Sequence, residues 1–320
     1  MAAPTNTATT LSQKGNREDL TDILTRVAPE ATPCSSNIGQ GKAATAVYHE
    51  WQTEDLATPD GDNSVLEGDD TSAYEENITT RVGNHAQIFK KAFVISGTQE
   101  KVDKAGRKSE INRHRVLKSI EIKRDLEAAI LGNRASRAQS GGNARRLGGI
   151  PAWLTTNVSR GAGGANGGFS AGVTAAATNG TQRTFTEALL KAVMQSIFNN
   201  SGEAKKRDVY MAAAHKILFS GFPGIADIRS EAKGKQMPTI YGAAEFYMSD
   251  FGMLAAIPVA YGLTRDALIL DNDYLGISTL RGITEEKLAK TGDNEKRHII
   301  QEKTLEVRNE KALGVVADLS

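Results

Sequence analysis

The sequence predicts an α+β fold in which a long acidic ribbon of two strands projects from a body built around one long helix. Three observations carry this. Residues 45–54 and 74–82 alternate apolar and polar side chains on either side of a turn-rich stretch at 55–72. Residues 109–131 place apolar side chains at helical spacing. After a Gly-rich stretch at 134–182, helical and strand patterns resume.

Taken in order, residues 1–16 are polar and poor in bulky apolar side chains, as in an extended arm. Leu20, Ile23, Leu24 and Val27 then fall at helical spacing before Pro29, which predicts a short helix. Pro33 and the Ser, Asn and Gly residues up to Gly41 predict an irregular connection. Within the ribbon, a period of two puts Val47, His49 and Trp51 on one face and Tyr48, Glu50 and Gln52 on the other. Pro59, Gly61 and Gly68 mark its tip. Ten strand residues span about 33 Å. The ribbon holds too few apolar residues for a core of its own, and an isolated two-stranded ribbon is marginal in water, so it needs a neighbour to lie on.

Ile88, Phe89, Phe93, Val94 and Ile95 predict a strand entering a core. Ser109 and Glu110 open the long helix, in which Ile122, Leu126, Ala129 and Ile130 share a face. It is about 34 Å long, and Gly132 with Asn133 predicts a glycine-type C-cap. The Gly-rich residues 134–182 read as a flexible surface excursion. Thr184 and Glu187 have the spacing of a capping box ahead of Leu189, Leu190, Val193, Met194 and Ile197, in a helix stopping near Gly202. Shorter elements follow at 208–213, 216–219, 242–253 and 267–270, with a late alternating strand at 303–309. No repeat of 20–50 residues is present, which argues against solenoids and propellers.

Hydrophobic residues make up 39% of the chain and charged residues 24%, the usage of a folded protein. A formal net charge of +1 gives no long-range field toward nucleic acid or an anionic membrane. The opening residues lack a basic and an apolar region, and no run reaches the ~18–20 apolar residues of a spanning helix, so neither export by a signal peptide nor a membrane partner is expected. Cys34 is the one cysteine, which excludes an intrachain disulfide and a thiolate cage.

The charges are segregated. Residues 43–80 carry ten carboxylates and no Lys or Arg, whereas residues 81–146 carry sixteen Lys and Arg against six Asp and Glu, or about −10 and +10. Such an arrangement can hold one subunit's ribbon on the basic face of the next and makes the contact salt-dependent. The alternative is two solvated faces. Trp51 would lose about 150–250 Å² of surface on burial, which makes it a candidate anchor either between subunits or within its own. The interface candidates are Trp51, Glu54, Asp55, Glu67, Asp69 and Asp70 on the ribbon, facing Arg107, Lys108, Arg113 and Arg115.

Chemistry-bearing motifs are not found. Residues 161–172 lack G-x-G-x-x-G, and neither Gly41-Lys42 nor Gly234-Lys235 has the context of a phosphate loop. His49, His85, His114, His215 and His298 form no pair spaced for a metal. Ser96 lacks a nucleophile elbow, and Cys34 has no local base to activate it. No catalytic, cofactor or metal residue is assigned. The basic residues 101–146 lack interleaved aromatics for stacking bases, so a phosphate-facing lining is the most they imply.

The runs Arg17-Glu-Asp-Leu-Thr-Asp-Ile-Leu-Thr-Arg-Val-Ala-Pro29, His49-Glu-Trp-Gln-Thr-Glu-Asp-Leu-Ala57, Arg81-Val-Gly-Asn-His-Ala-Gln-Ile-Phe-Lys-Lys-Ala-Phe-Val-Ile-Ser-Gly-Thr98 and Arg145-Arg-Leu-Gly-Gly-Ile-Pro-Ala-Trp-Leu154 resemble a family of tailed-phage major capsid proteins. The resemblance is strong over residues 17–157 and looser afterwards. It implies the Hong Kong 97 type of capsid fold, with an N-terminal arm at 1–41, an E-loop hairpin at 44–83, a peripheral domain at 84–182 containing a spine helix at 109–131, an axial domain at 183–290 and a return strand at 291–320. It further implies pentameric and hexameric capsomers of this chain itself, a virion assembled in a bacterial cytoplasm, and packaged double-stranded DNA at the inner surface. A separate scaffolding protein, a portal and decoration proteins are the other partners it implies. The remaining alternatives are an encapsulin-type compartment and an enzyme whose site the sequence does not reveal.

Overall fold

The computed structural model describes residues 31–68, 70, 76–104, 106, 108–222 and 246–320. The helix predicted around residues 20–27 and the first positions of the second ribbon arm lie outside the described residues. Where an irregular connection is predicted, Pro33 starts a short helix, α1 (Pro33–Asn37). Its first amides do not go unpaired, because the buried carboxylate of Glu127 accepts from Cys34 (2.9 Å) and Ser35 (2.7 Å).

The ribbon arms pair antiparallel as β1 (Tyr48–Thr53) and β2 (Thr80–His85), with Trp51 opposite Val82. Ala86 alone separates β2 from β3 (Gln87–Ser96). Phe89, Phe93 and Ile95 of β3 are buried, whereas Ile88 and Val94, predicted with them, lie on the opposite, exposed face. After α2 (Gly97–Lys101) comes the long helix α3 (Glu110–Leu131), whose N-cap Ser109 accepts the Asn112 amide. Ile122, Leu126, Ala129 and Ile130 form its buried stripe. The C-cap departs from the sequence reading: Gly132 is extended, at φ −73° and ψ 140°, and not left-handed.

The Gly-rich residues 134–182 are not a flexible excursion. They contain α4 (Ile150–Trp153), buried throughout, then β4 (Val158–Ser159) and a small hairpin, β5 (Gly168–Ser170) with β6 (Val173–Ala175). Glycine serves here to let backbones touch. A Cβ on Gly161 would stand 2.0 Å from the Thr181 carbonyl oxygen, and one on Gly167 would stand 2.1 Å from that of Ala175.

The next helix, α5 (Glu187–Ser201), corrects the predicted capping box. Thr186 is its N-cap and Glu187 its first residue, so the Glu187 carboxylate instead meets the Tyr247 hydroxyl (2.7 Å) and Lys191 (2.8 Å). Gly202 closes the helix in the left-handed region, at φ 69°. Beyond it lie β7 (Arg207–Ala212), α6 (Ala213–Ser220), β8 (Phe246–Ser249), β9 (Gly252–Val259), β10 (Ala267–Leu270), β11 (Leu275–Lys287), β12 (Asn294–Val307) and β13 (Gly314–Val316).

A six-stranded mixed sheet runs β4-β13-β10-β7-β9-β8, and a three-stranded antiparallel sheet runs β11-β12-β3. The six-stranded sheet divides two cores. Successive residues of a strand face opposite sides, so Tyr210, Leu268, Leu270 and Val315 join the core under α3 and α4, whereas Val209, Met211, Ile269 and Val316 join that under α5. Strand β12 is longer than the strand predicted at 303–309. By pairing with β11 it also brings residues 275–287, which the sequence reading groups with the axial lobe, onto the sheet of β3.

Candidate functional site

The ribbon divides into a buried root and an exposed reach. At the root, the Trp51 indole N–H donates to the Val307 carbonyl at the end of β12 (2.9 Å), and its ring lies 5.5 Å from that of Trp153. Trp153 in turn stacks on Phe169. Trp51 therefore packs within its own subunit. Asn84 is fully buried: its Nδ2 donates to the carbonyls of Leu305 (3.0 Å) and Gly148 (3.2 Å), and its Oδ1 accepts from the amides of Gly148 (2.8 Å) and His85 (3.0 Å). Arg145 donates from Nε to the Ala86 carbonyl (2.7 Å) and pairs through Nη2 with Glu302. That carboxylate also binds Arg281 (2.6 Å), which irregularities in the β11 register set opposite it.

The same root holds titratable groups. Burial pushes the His85 imidazole below its ordinary range, Arg145 adds to the effect, and the ring lies 4.7 Å from that of Tyr48. Buried His49 lies 3.7 Å from Glu306. Burial alone would raise the Glu306 carboxyl, but Arg308, Ser278 and His49 outweigh it and the net displacement is downward.

Beyond Thr53 and Thr80 the character changes. Every described residue of 54–80 is exposed, including Leu56, Val65, Leu66 and Ile78, each at least 80% accessible. Glu54, Glu67 and Asp70 lie on this exposed stretch. Asp55 reaches Lys311 of the same chain (2.8 Å), in an exposed pair worth little. Asp69 and Arg107 lie outside the described residues. Of the basic candidates, Lys108 is exposed, Arg113 pairs with Glu110 (3.3 Å) and Arg115 pairs with Glu285 (2.5 Å). The residues that seat the ribbon, Asn84, Arg145, Glu302 and Arg281, were not singled out from the sequence. Their partners are up to about two hundred positions away, and only a polar residue inside an alternating strand, as at Asn84, was there to be noticed.

Among the described residues no three His, Cys, Asp or Glu side chains converge as metal ligands, and no helix is long and apolar enough to cross a membrane. Cys34 is wholly buried, and burial, reinforced by Glu127 and Asp208, holds its thiol well above the ordinary value. It is a core side chain with little thiolate character.

Comparison with known proteins agrees with this geometry. The family described as SU10 major capsid protein matches residues 3–320. The major capsid protein of Escherichia phage Phieco32 is 31% identical over 123 residues, which is 38% of this chain and 35% of that protein. Among solved structures, the cyanophage A-1(L) capsid asymmetric unit superposes with a TM-score of 0.60 at 11% identity, covering 97% of this chain and 98% of that one. The holo-SrpI encapsulin complex of Synechococcus elongatus PCC 7942 gives 0.55 at 10% identity, over 96% and 93% of the two chains. At such identities the structural likenesses speak to fold, which is the Hong Kong 97 type of capsid fold. With the family match spanning all but the first two residues, the chain belongs to the SU10 major capsid protein family, a family of structural capsid proteins and not of enzymes.

Proposed function

We propose that the chain is the self-assembling subunit of a tailed-phage icosahedral head, forming pentameric and hexameric capsomers in the host cytoplasm and enclosing double-stranded DNA. The observation that carries this is the exposed reach of the ribbon, with four large apolar side chains in water and carboxylates around them. A monomer gains nothing from such a stretch, whereas burying a side chain of this size on a second copy contributes about 1.5–3 kcal/mol. Glu54, Glu67, Asp69 and Asp70 supply the acidic half of that contact, with Arg107 and Lys108 as cationic partners on the neighbouring copy. Arg113 and Arg115 take part only by sharing their present carboxylates. Trp51 supports the contact from behind by fixing the root.

In this reading residues 1–41 are the arm, 44–83 the E-loop, 84–182 the peripheral domain, 183–290 the axial domain and 291–320 the return strand, with residues 275–287 of the axial range lying on the sheet that β3 and the return strand share. A separate scaffolding protein, a portal and decoration proteins complete the head, and DNA meets the inner surface without base recognition. The encapsulin-like neighbour supports a shared fold only. Deleting residues 55–72 tests the proposal. The expected product is a folded subunit, by circular dichroism, that forms no shells under the electron microscope; normal shells from the deletion would refute it.

A further inference from the structure

Between ribbon and body the chain passes through Ala86, and this passage is held from the body's side. Residues 145–148 run beside residues 84–87. Arg145 donates to the Ala86 carbonyl (2.7 Å), the Leu147 amide donates to the Gln87 side chain (3.2 Å), and Gly148 exchanges two hydrogen bonds with Asn84 (2.8 and 3.2 Å). The Ala86 amide donates to the Val47 carbonyl (2.8 Å), tying the incoming arm to the outgoing one. Asn84 and Ala86 are fully buried. A hinge at the attachment point would unpair these groups out of reach of water, which a buried polar network resists. Beyond Thr53 and Thr80 every described ribbon residue is exposed, and the tie to the body there is the solvent-exposed Asp55–Lys311 pair (2.8 Å), which resists bending little.

We propose that Asn84 and Arg145 are positioning residues that set the angle at which the ribbon leaves the subunit, and that bending is confined to the ribbon beyond Thr53 and Thr80. This rests on the reading that the ribbon reaches a neighbouring copy. The angle of departure then decides where the tip meets that copy, so loosening the root produces shells of mixed curvature from subunits that still fold.

Two measurements test it. On the unassembled full chain, hydrogen exchange at residues 48–53 and 80–85 is expected to be about 100-fold or more slower than at residues 54–68. Equal rates would overturn the proposal even if shells form, and this measurement needs no variant. In electron micrographs, Arg145→Ala and Asn84→Ser are expected to widen the distribution of shell diameters about twofold or more, with Arg145→Lys intermediate, because it keeps the charge facing Glu302 and loses the planar fork. A folded Arg145→Ala subunit giving shells as uniform as the parent would also overturn it. Should the two substitutions prevent folding, the exchange pattern decides alone. Failure of the assembly reading shows separately, as unmodified chain that forms no shells.

Discussion

Single buried side chains hold distant segments of the chain together, and their removal has calculable consequences. Asp318 is fully buried and accepts the amides of Gly161 (3.0 Å) and Gly180 (2.8 Å) while pairing with Arg265 (3.2 Å). Asp318→Ala leaves those donors unpaired and is expected to cost about 2–4 kcal/mol, read as a lower denaturation midpoint. Gly161→Ala acts on the same junction by steric overlap and is expected to cost about 1–3 kcal/mol. At the ribbon root, the folded state holds His85 below its ordinary value of 6.5. The unfolded chain therefore takes up that proton first, and stability present above pH 6.5 is lost as pH falls from there toward the depressed folded value. His215, also lowered by burial, adds in the same direction. Unfolding midpoints measured from pH 7.5 downward should fall in this window, and His85→Gln should flatten the slope. A slope unchanged by that substitution would assign the effect elsewhere.

Among the elements, the ribbon and α3 were legible because period and composition agree: alternation through His49 and Trp51, and a stripe through Ile122, Leu126 and Ile130. The Gly-rich segment was misread for a reason intrinsic to glycine, since a residue chosen so that backbones can touch looks the same in a sequence as one chosen for freedom. Strand β11 was missed because its outer half, from Arg281 to Lys287, is polar and carries the register irregularities. Trp51 illustrates a different limit, because its partner Val307 lies 256 positions away and no local pattern connects them. Trp51→Ala should reduce stability by about 2–3 kcal/mol, below the full cost of a buried aromatic because the ring is only partly buried. A loss below measurement would mean the ring contributes only after assembly. Of the interface candidates, the sequence located the exposed acidic reach, but it had no means of showing which cations were already paired inside the subunit, as Arg113 and Arg115 are.

For the whole molecule, opposite charge densities on ribbon and body predict that assembly weakens with ionic strength. Screening becomes effective over about 10 Å at 0.1 M salt and about 3 Å at 1 M, so light scattering should report a rising critical concentration across that range. Insensitivity to salt would shift the contact toward Leu56, Val65, Leu66 and Ile78.

The position of β13 in its sheet bears on how the subunit folds. This strand, Gly314–Val316, lies between β4 and β10 and shares side chains with both cores. Both cores draw on this stretch, and pairing a segment near residue 315 with one near residue 158 is a slow, long-range event. The two cores are therefore expected to close together, in one late step of refolding.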